Sequence, residues 1–452
     1  MDDTVLPSKL LSTLSQAADI ISGHDFIQVY SHYDADGISS ASIIAKTLLR
    51  AGKEFKVTLL TSLDNAAMEL IRKNPAGCII ISDLGASYIE QLDSLECDVI
   101  VLDHHTAEQQ AKRICYANPH LYGIDGMTSG CGATMSFLFS VAVSEKNWDL
   151  VQVAFAGITG DRQAVNGVKG LNVYLYEEAL ERGYIKVAEG SMIPRGHLAS
   201  ELYLSTEPYL AGISGNADGV AGLLDSAGIG REKNSKDLTE NEKRKLSSLI
   251  ALKLIEQGTS VQTMFELSRT VYQLKDWSMD AETLGSVLNG CGRLGLGGVG
   301  VSAGMGDAKN LTLAVELENT SRSQMMEGVL SLQKNGLSQM ENIQWFDSST
   351  LGFTGMLCSI AMQFMGDPSK PTIGVNRSEG TAKISSRATF SLLEKGVDLS
   401  TALKEACASV GGTGGGHRIA SGGSCPKDKC EEFLSNLDMI IGKQIQGRAD
   451  VE

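Results

Sequence analysis

Residues 26–37 read FIQVYSHYDADG, residues 78–83 read CIIISD and residues 99–105 read VIVLDHH. Each is a short apolar run that ends abruptly in carboxylates or imidazoles. Runs apolar almost to their ends suit the central strands of a parallel sheet, whose two faces are both covered by helices. In an open parallel sheet the carboxyl ends of the strands face one crevice. His32, Asp34, Asp36, Asp83, Asp103, His104 and His105 are therefore expected to arrive at one place from three strand ends. A fourth approach is Asp161, which closes the helix-like VQVAFAGITGD of residues 151–161. So much negative charge in one place is tolerable only around metal ions.

Outward from these runs, residues 1–190 alternate short apolar stretches with helical patterns, as βαβ units do. A loop is expected after FIQVYSH, then a helix over SSASIIAKTLLRAG closed by Gly52, a strand over FKVTLL and a helix over 65–73. Further helices are expected over 133–144 and 150–158. Residues 191–350 differ in character. TENEKRKLSSLIALKLIEQG carries a capping box at Thr239 and Glu242, a stripe of Leu246, Ile250 and Leu254, and a closing Gly258. Between Gly285 and Gly306 there are nine glycines in twenty-two residues, a density that points to tight turns and close backbone packing. Residues 351–452 return to α/β patterning, with strands over PTIGVN and AKISSR, a helix over LSTALKEACASV, the run GGTGGGHRIASGG and a last helix over 427–437. The expected architecture is α/β. It has an N-terminal doubly wound, mainly parallel sheet, a mostly helical or mixed middle region and a smaller C-terminal α/β domain, with a cleft between.

At 452 residues the chain exceeds one small core. Its 42% hydrophobic and 21% charged residues are those of a globular protein, and it has no run of about twenty apolar residues. The acidic, amphipathic start MDDTVLPSKLLSTLSQAADII lacks the pattern of a signal peptide, so a cytoplasmic location is expected. The nine scattered cysteines, with no C-x-x-C, fit buried thiols in a reducing compartment. Cys425 and Cys430 near His417 are a weak pattern for zinc. A net charge of −15 argues against coating nucleic acid by bulk electrostatics, so any phosphate recognition must be local.

The strand-end residues suit two divalent cations. Mn²⁺ and Mg²⁺ prefer carboxylate oxygens, and Mn²⁺ also accepts imidazole. His32 and Asp34 would serve one ion, with Asp36 reaching the other beyond a bend in an extended segment. Asp83 would bridge, and His104 and Asp161 would complete the ligands of the second ion. A pair of ions about 3.5–4 Å apart makes a bridging water a hydroxide near neutral pH, able to attack phosphorus in line. Asp103 suits an acceptor that orients a histidine. His105 could contact the scissile phosphate or protonate the leaving oxygen. Taken singly, a D-x-D is commonly a turn or cap and a buried histidine is commonly just hydrogen-bonded. Three such endings and Asp161 together favour the metal reading. In the C-terminal part, Gly414, Gly415 and Gly416 could let backbone N–H groups approach an anion as a nest or helix start would, with His417, Arg387 and Ser386 adding contacts. A plain glycine turn is the alternative there.

These motifs in this order resemble the DHH phosphoesterase superfamily. SHYDADG, ISDLG, the Asp103-His104-His105 triplet and GITGD correspond to its successive motifs, and KISSRA with GGTGGGH is similar to its DHHA1 substrate-binding domain. PYLAGISGNADGVAGLL and VLNGCGRLGLGGVGVSAGMGD look like segments of archaeal RecJ-like nucleases, including the GINS-associated nuclease. The resemblance implies metal ligands at His32, Asp34, Asp36, Asp83, His104 and Asp161, with Asp103 and His105 in support and two Mn²⁺ or Mg²⁺ as cofactors. It implies an exonuclease on single-stranded DNA or RNA, DNA favoured, acting in replication or repair. Two rivals stand beside it. One is hydrolysis of tiny substrates such as short oligonucleotides, 3′-phosphoadenosine phosphate or cyclic dinucleotides, against which the long middle region counts. The other is a non-catalytic replication scaffold that binds GINS-like partners.

Overall fold

The computed structural model describes residues 6–107, 110–378 and 380–449. It forms two compact units. The first runs to Gly190 and resumes over Arg269–Ser321, and the second takes Ser191–Ser268 and the chain from Arg322 on.

In the first unit, β1 (Phe26–His32), β2 (Glu54–Leu60), β3 (Cys78–Ser82), β4 (Asp98–Leu102) and β5 (Cys115–Ala117) pair in parallel in the order β2-β1-β3-β4-β5. Successive side chains on a strand face opposite sides. Ile80, Ile100 and Leu102 accordingly enter the core shared with the helices Ser8–Ser22, Ala35–Arg50, Gly132–Val143 and Val151–Gly160. Ile79, Ile81, Val99 and Val101 enter a second core on the other face, against Met68, Ile71, Ile89 and Leu92. With helices on both faces, the sheet is doubly wound as expected. Its order reverses between β1 and β3, and ligand sites of such folds lie at the strand carboxyl ends beside that reversal.

Two local expectations change. The loop after β1 is shorter than the sequence suggests: the helix Ala35–Arg50 begins at once, capped by Asp34, whose Oδ1 accepts the Gly37 N–H at 3.0 Å. Asp36 thus lies in the first helical turn and not on an extended segment. Gly37 is needed there because a Cβ would sit 2.3 Å from the His32 carbonyl oxygen. Residues 191–350 are also shared between the units. The glycine-rich stretch forms two helices, Ala281–Arg293 and Gly297–Gly304, that pack in the first unit. The glycines are there for close approach. Added Cβ atoms would fall 2.6 Å from the Ala156 carbonyl oxygen at Gly285, 1.7 Å from the Tyr33 carbonyl oxygen at Gly292, and 2.3 Å from Ser42 Oγ at Gly304.

The second unit has a helical part, which includes the capped helix Glu240–Glu256 as read from sequence, and a mixed sheet. Thr372–Asn376 runs parallel to Gln344–Asp347 and antiparallel to Thr381–Arg387. Thr381–Arg387 pairs antiparallel with Ala420–Pro426, which pairs with the edge strand Thr413–Gly416. Helices Leu399–Ser409 and Cys430–Ala449 join this sheet's core through residues such as Leu403, Cys407, Phe433 and Ile441. Among the described residues no helix is long and apolar enough to cross a membrane.

Gly292→Ala is expected to lower the stability of the first unit by about 1–3 kcal/mol, the usual cost of overpacking. Gly298→Ala, where a Cβ meets nothing within 4 Å, is expected to be neutral or stabilising by a few tenths of a kcal/mol or more. Denaturant unfolding of both variants checks the pair; equal midpoints would refute the packing role given to Gly292.

Candidate metal centre

The end of β1 delivers His32, and the cap that follows delivers Asp34. His32 Nδ1 lies 2.9 Å from Asp34 Oδ2 and 3.6 Å from Asp83 Oδ2. Asp83 follows β3 with a left-handed backbone, φ 54°, which is uncommon for a side-chain-bearing residue and turns its carboxylate out of the strand line. Asp83 Oδ1 meets His104 Nε2 at 3.1 Å, so this buried carboxylate touches both histidines. His104 Nε2 is also 3.7 Å from Asp36 Oδ2, and its Nδ1 is 3.9 Å from Asp161 Oδ2. His104 Nδ1 donates to the Gly126 carbonyl at 2.9 Å, an acceptor that can only accept, so this nitrogen carries hydrogen and Nε2 faces the carboxylates.

Asp36 is buried, and its two oxygens accept the N–H groups of Gly132 at 2.7 Å and Ala133 at 2.8 Å. These belong to the first turn of the helix Gly132–Val143, the positive end of its dipole. Gly132 and Gly157 make room for it, since added Cβ atoms would lie 2.9 Å from Asp36 Oδ2 and 2.7 Å from Asp36 Oδ1 respectively. Asp103, fully buried, accepts the Ala86 N–H on Oδ2 at 2.7 Å and His105 Nδ1 on Oδ1 at 2.8 Å. It is thus hydrogen-bonded to the imidazole of the third residue of its own triplet.

The electrostatics match this crowding. Burial, with Asp83 and Asp161 adding to it, pushes the Asp36 carboxyl well above the usual range. Burial also lifts Asp161, with Asp83 and Asp34 helping, to about 6 against the pull of His104. Burial would raise Asp83 as well, but His104 and His32 outweigh it and hold it well below the usual carboxylate range. In turn the carboxylates raise both imidazoles well above the ordinary histidine value, although burial opposes this.

Three overlapping groups of side chains bring one donor atom each within 4.8 Å of one another: His32, Asp34 and Asp83; Asp36, His104 and Asp161; and Asp83, His104 and His105. Every expected ligand falls in these groups, and His105, expected only as an acid or phosphate contact, joins one of them. The fit to hard divalent cations is good. The donors are carboxylate oxygens with a minority of imidazoles, and buried Asp83 Oδ2 accepts no hydrogen bond, a need that a cation would satisfy.

Sequence reasoning missed Arg293, at the end of the helix Ala281–Arg293. Burial lowers its pKa while Tyr33, Asp34 and Glu318 lie within electrostatic reach. It is half-buried, and its guanidinium makes no hydrogen bond or ion pair among the described residues. The available signal was a lone cation inside an apolar, glycine-rich run, where a desolvated charge demands a partner.

The C-terminal candidates lie in the second unit. Gly414, Gly415 and Gly416 do not form a nest or helix start but the edge strand Thr413–Gly416. Gly414 is a glycine for close packing, since a Cβ there would lie 2.6 Å from the Leu403 carbonyl oxygen, and Gly416 adopts φ 138°, whereas a Cβ on Gly415 would meet nothing within 4 Å. His417 and Ala420 close the following turn by two backbone hydrogen bonds of 2.9 and 3.2 Å. The register Arg387↔Ala420 puts Arg387 beside that turn. The Ser386 hydroxyl is buried and donates to the Ser421 carbonyl, so it is already engaged. Cys425 and Cys430 approach to 3.7 Å between sulfurs as buried thiols, with no carboxylate or imidazole grouped with them for a metal among the described residues.

Residues 26–158 match the model of the DHH family N-terminal domain, and residues 352–443 match the DHHA1 domain. The uncharacterized protein MJ0831 of Methanocaldococcus jannaschii is 30% identical over 94% of this chain and 96% of its own length. A protein named as an SPbeta prophage-derived single-strand DNA-specific exonuclease, YorK of Bacillus subtilis, is 27% identical over 32% of this chain, which spans only 26% of YorK. Among solved structures, RecJ of Thermus thermophilus in complex with Mn²⁺ superposes with a TM-score of 0.60 at 15% identity, over 97% of this chain and 55% of RecJ. CDC45 of Entamoeba histolytica superposes with a TM-score of 0.64 at 11% identity, over 96% of this chain and 98% of CDC45. At such identities these two likenesses speak to fold. With both domain models matched in order and a full-length relative at this identity, the chain belongs to the DHH family and carries a DHHA1 domain in its C-terminal part.

Proposed function

We propose that this protein is a two-metal-dependent exonuclease that shortens single-stranded nucleic acid, DNA preferred, from one end. The observation that carries the reading is Asp83: one buried carboxylate at the sheet's reversal point touches His32 through one oxygen and His104 through the other. That is the position a carboxylate shared by two cations needs. His32, Asp34 and Asp83 would hold one ion, and Asp83, Asp36, His104 and Asp161 the other. Mn²⁺ suits this mixture of oxygen and imidazole best, and Mg²⁺ is the alternative. When bound, such a pair neutralises charge on a phosphodiester and lowers the pKa of bound water.

The chain's own groups would do the rest. Arg293, whose charge is within electrostatic reach of Tyr33, Asp34 and Glu318, can donate to a non-bridging phosphate oxygen. Asp103 holds His105 by Nδ1, which orients the ring so that its Nε2 can protonate a leaving oxygen. In the second unit, Arg387 and the turn at His417 are candidates for phosphate contacts, with Gly414, Gly415 and Gly416 shaping the strand that leads to it. The name of YorK supports single-stranded DNA as the substrate class. A cytoplasmic role in replication or repair, with or without a GINS-like partner, is consistent with that activity. A site complete in its donor set weighs against a purely non-catalytic scaffold.

With single strands labelled separately at each end, the protein is expected to produce a ladder from one end in Mn²⁺ and no product in EDTA. Cleavage of a dinucleotide with no action on the long strand would overturn the exonuclease reading. Asp83→Ala is expected to cut turnover by at least about a hundredfold while the melting transition stays cooperative. Wild-type turnover in that variant would remove Asp83 from the centre of the mechanism. For Arg293→Ala, loss of a charge-assisted hydrogen bond worth about 1.5–3 kcal/mol should lower kcat/KM by roughly ten- to a hundredfold, with Mn²⁺ uptake unchanged. An unchanged kcat/KM would show that this guanidinium does not meet the substrate.

A further inference from the structure

One side chain that ties the centre together is neither acidic nor basic. Gln163 follows Asp161 by two residues and is buried. Arg162, at φ 60°, turns the chain back over the end of the helix Val151–Gly160, and the Gln163 N–H closes onto the Ile158 carbonyl at 3.0 Å. This is the left-handed helix ending in which the chain reverses onto its own last turn. It aims the carboxamide into the unit. Gln163 Nε2 donates at 2.8 Å to Asp161 Oδ2 and at 2.8 Å to the Gly126 carbonyl. Gln163 Oε1 accepts the Gly130 N–H at 2.9 Å and Asn172 Nδ2 at 2.8 Å. Asn172, itself fully buried, is fixed in turn by the Thr134 hydroxyl on its Oδ1 at 2.6 Å.

All four hydrogen-bonding positions of the carboxamide are filled, and the chemistry of the neighbours dictates which end faces which way. A backbone N–H can only donate, and a carbonyl and a carboxylate can only accept. The Gly126 carbonyl is the same acceptor that fixes His104 through Nδ1. One amide therefore governs two members of one donor group, Asp161 directly and His104 through a shared carbonyl. Its hydrogen bonds do not extend to the other group, His32, Asp34 and Asp83.

We infer that Gln163, backed by Asn172 and Thr134, is a positioning residue that sets Asp161 and His104 together for one of the two cations. The inference rests on the two-metal reading of this site. Partners of this kind orient ligands and are worth roughly ten- to a hundredfold in metal affinity. In the two-metal reading Asp161 and His104 serve the same ion, and the network touches neither His32 nor Asp34, so its loss should weaken that ion and spare the other.

The test is Mn²⁺ titration of the full chain, with free Mn²⁺ followed by electron paramagnetic resonance. The wild-type protein is expected to take up two ions. Absence of uptake by the wild type would fail the two-metal reading itself, apart from any role of Gln163. Gln163→Met keeps the volume and removes the hydrogen bonds; it is expected to weaken one ion roughly ten- to a hundredfold and leave the other at wild-type affinity. Unchanged affinity for both ions, or equal weakening of both, would overturn the inference. Should Gln163→Met lose its cooperative melt, Thr134→Val decides by the same criterion at the far end of the relay. It is expected to cause a smaller, severalfold weakening confined to that ion, and no selective change would overturn the proposal.

Discussion

The first unit is organised around a buried carboxylate. Asp36 has no access to solvent worth the name, and its neighbours Asp83 and Asp161 carry the same sign of charge. Such a group persists only if the fold supplies positive ends to meet it. The first two N–H groups of the helix Gly132–Val143 do so, one to each oxygen. For that to happen the helix start must come nearly into contact with another helix's first turn, which is why Gly132 and Gly157 stand where any Cβ would strike Asp36. The position of a helix, the identity of two glycines and the state of one carboxyl are thus a single constraint.

The histidines obey a related rule. His104 and His105 each have a committed acceptor at Nδ1, the Gly126 carbonyl and Asp103 respectively, whereas His32 turns its Nδ1 toward Asp34 and Asp83 themselves. An imidazole held through one nitrogen presents the other in a fixed direction, which is how ligating and proton-moving histidines are usually prepared. Asp103 does this while also accepting the backbone N–H groups of Ala86 and His104, so the acceptor itself cannot swing. Rigidity at the centre comes from hydrogen bonds that have no part in the chemistry. The carboxylates that raise His32 and His104, and the imidazoles that lower Asp83, are the two sides of the same set of contacts.

How much of this was legible from residue order differs from element to element. Strand ends marked by Asp83 and by Asp103-His104-His105 were plain, because an apolar run that stops at a charge is a one-dimensional signal. The capping box at Thr239 and Glu242 was equally plain, since its hydrogen bonds join residues three apart. Asp36 was misplaced onto an extended segment because the same D-x-D serves equally well as a loop or as a helix start, and only the Gly37 N–H meeting Asp34 decides between them. The run at Gly414 to Gly416 was read as a nest, yet it is a strand in which Gly414 answers to the helix packed on the sheet and Gly416 to its own positive φ. Arg293 and Gln163 were invisible because what distinguishes them is the neighbourhood: Asp34 is remote from Arg293 in sequence, and Gln163 is fixed by Gly126, Gly130 and Asn172 as well as by Asp161.

Sequence alone therefore determined the parallel α/β character, the donor types and the strand ends that present them. Those depend on hydrophobic periodicity and on the charge of individual residues, both of which are local properties. Tertiary structure alone decided which oxygen of which carboxylate meets which nitrogen, the left-handed turn at Asp83, and the sharing of the middle stretch between two units. It also decided that one carbonyl, that of Gly126, serves both His104 and Gln163. Such pairings depend on separations of a few ångströms between residues tens of positions apart, and no pattern along the chain encodes a distance through space.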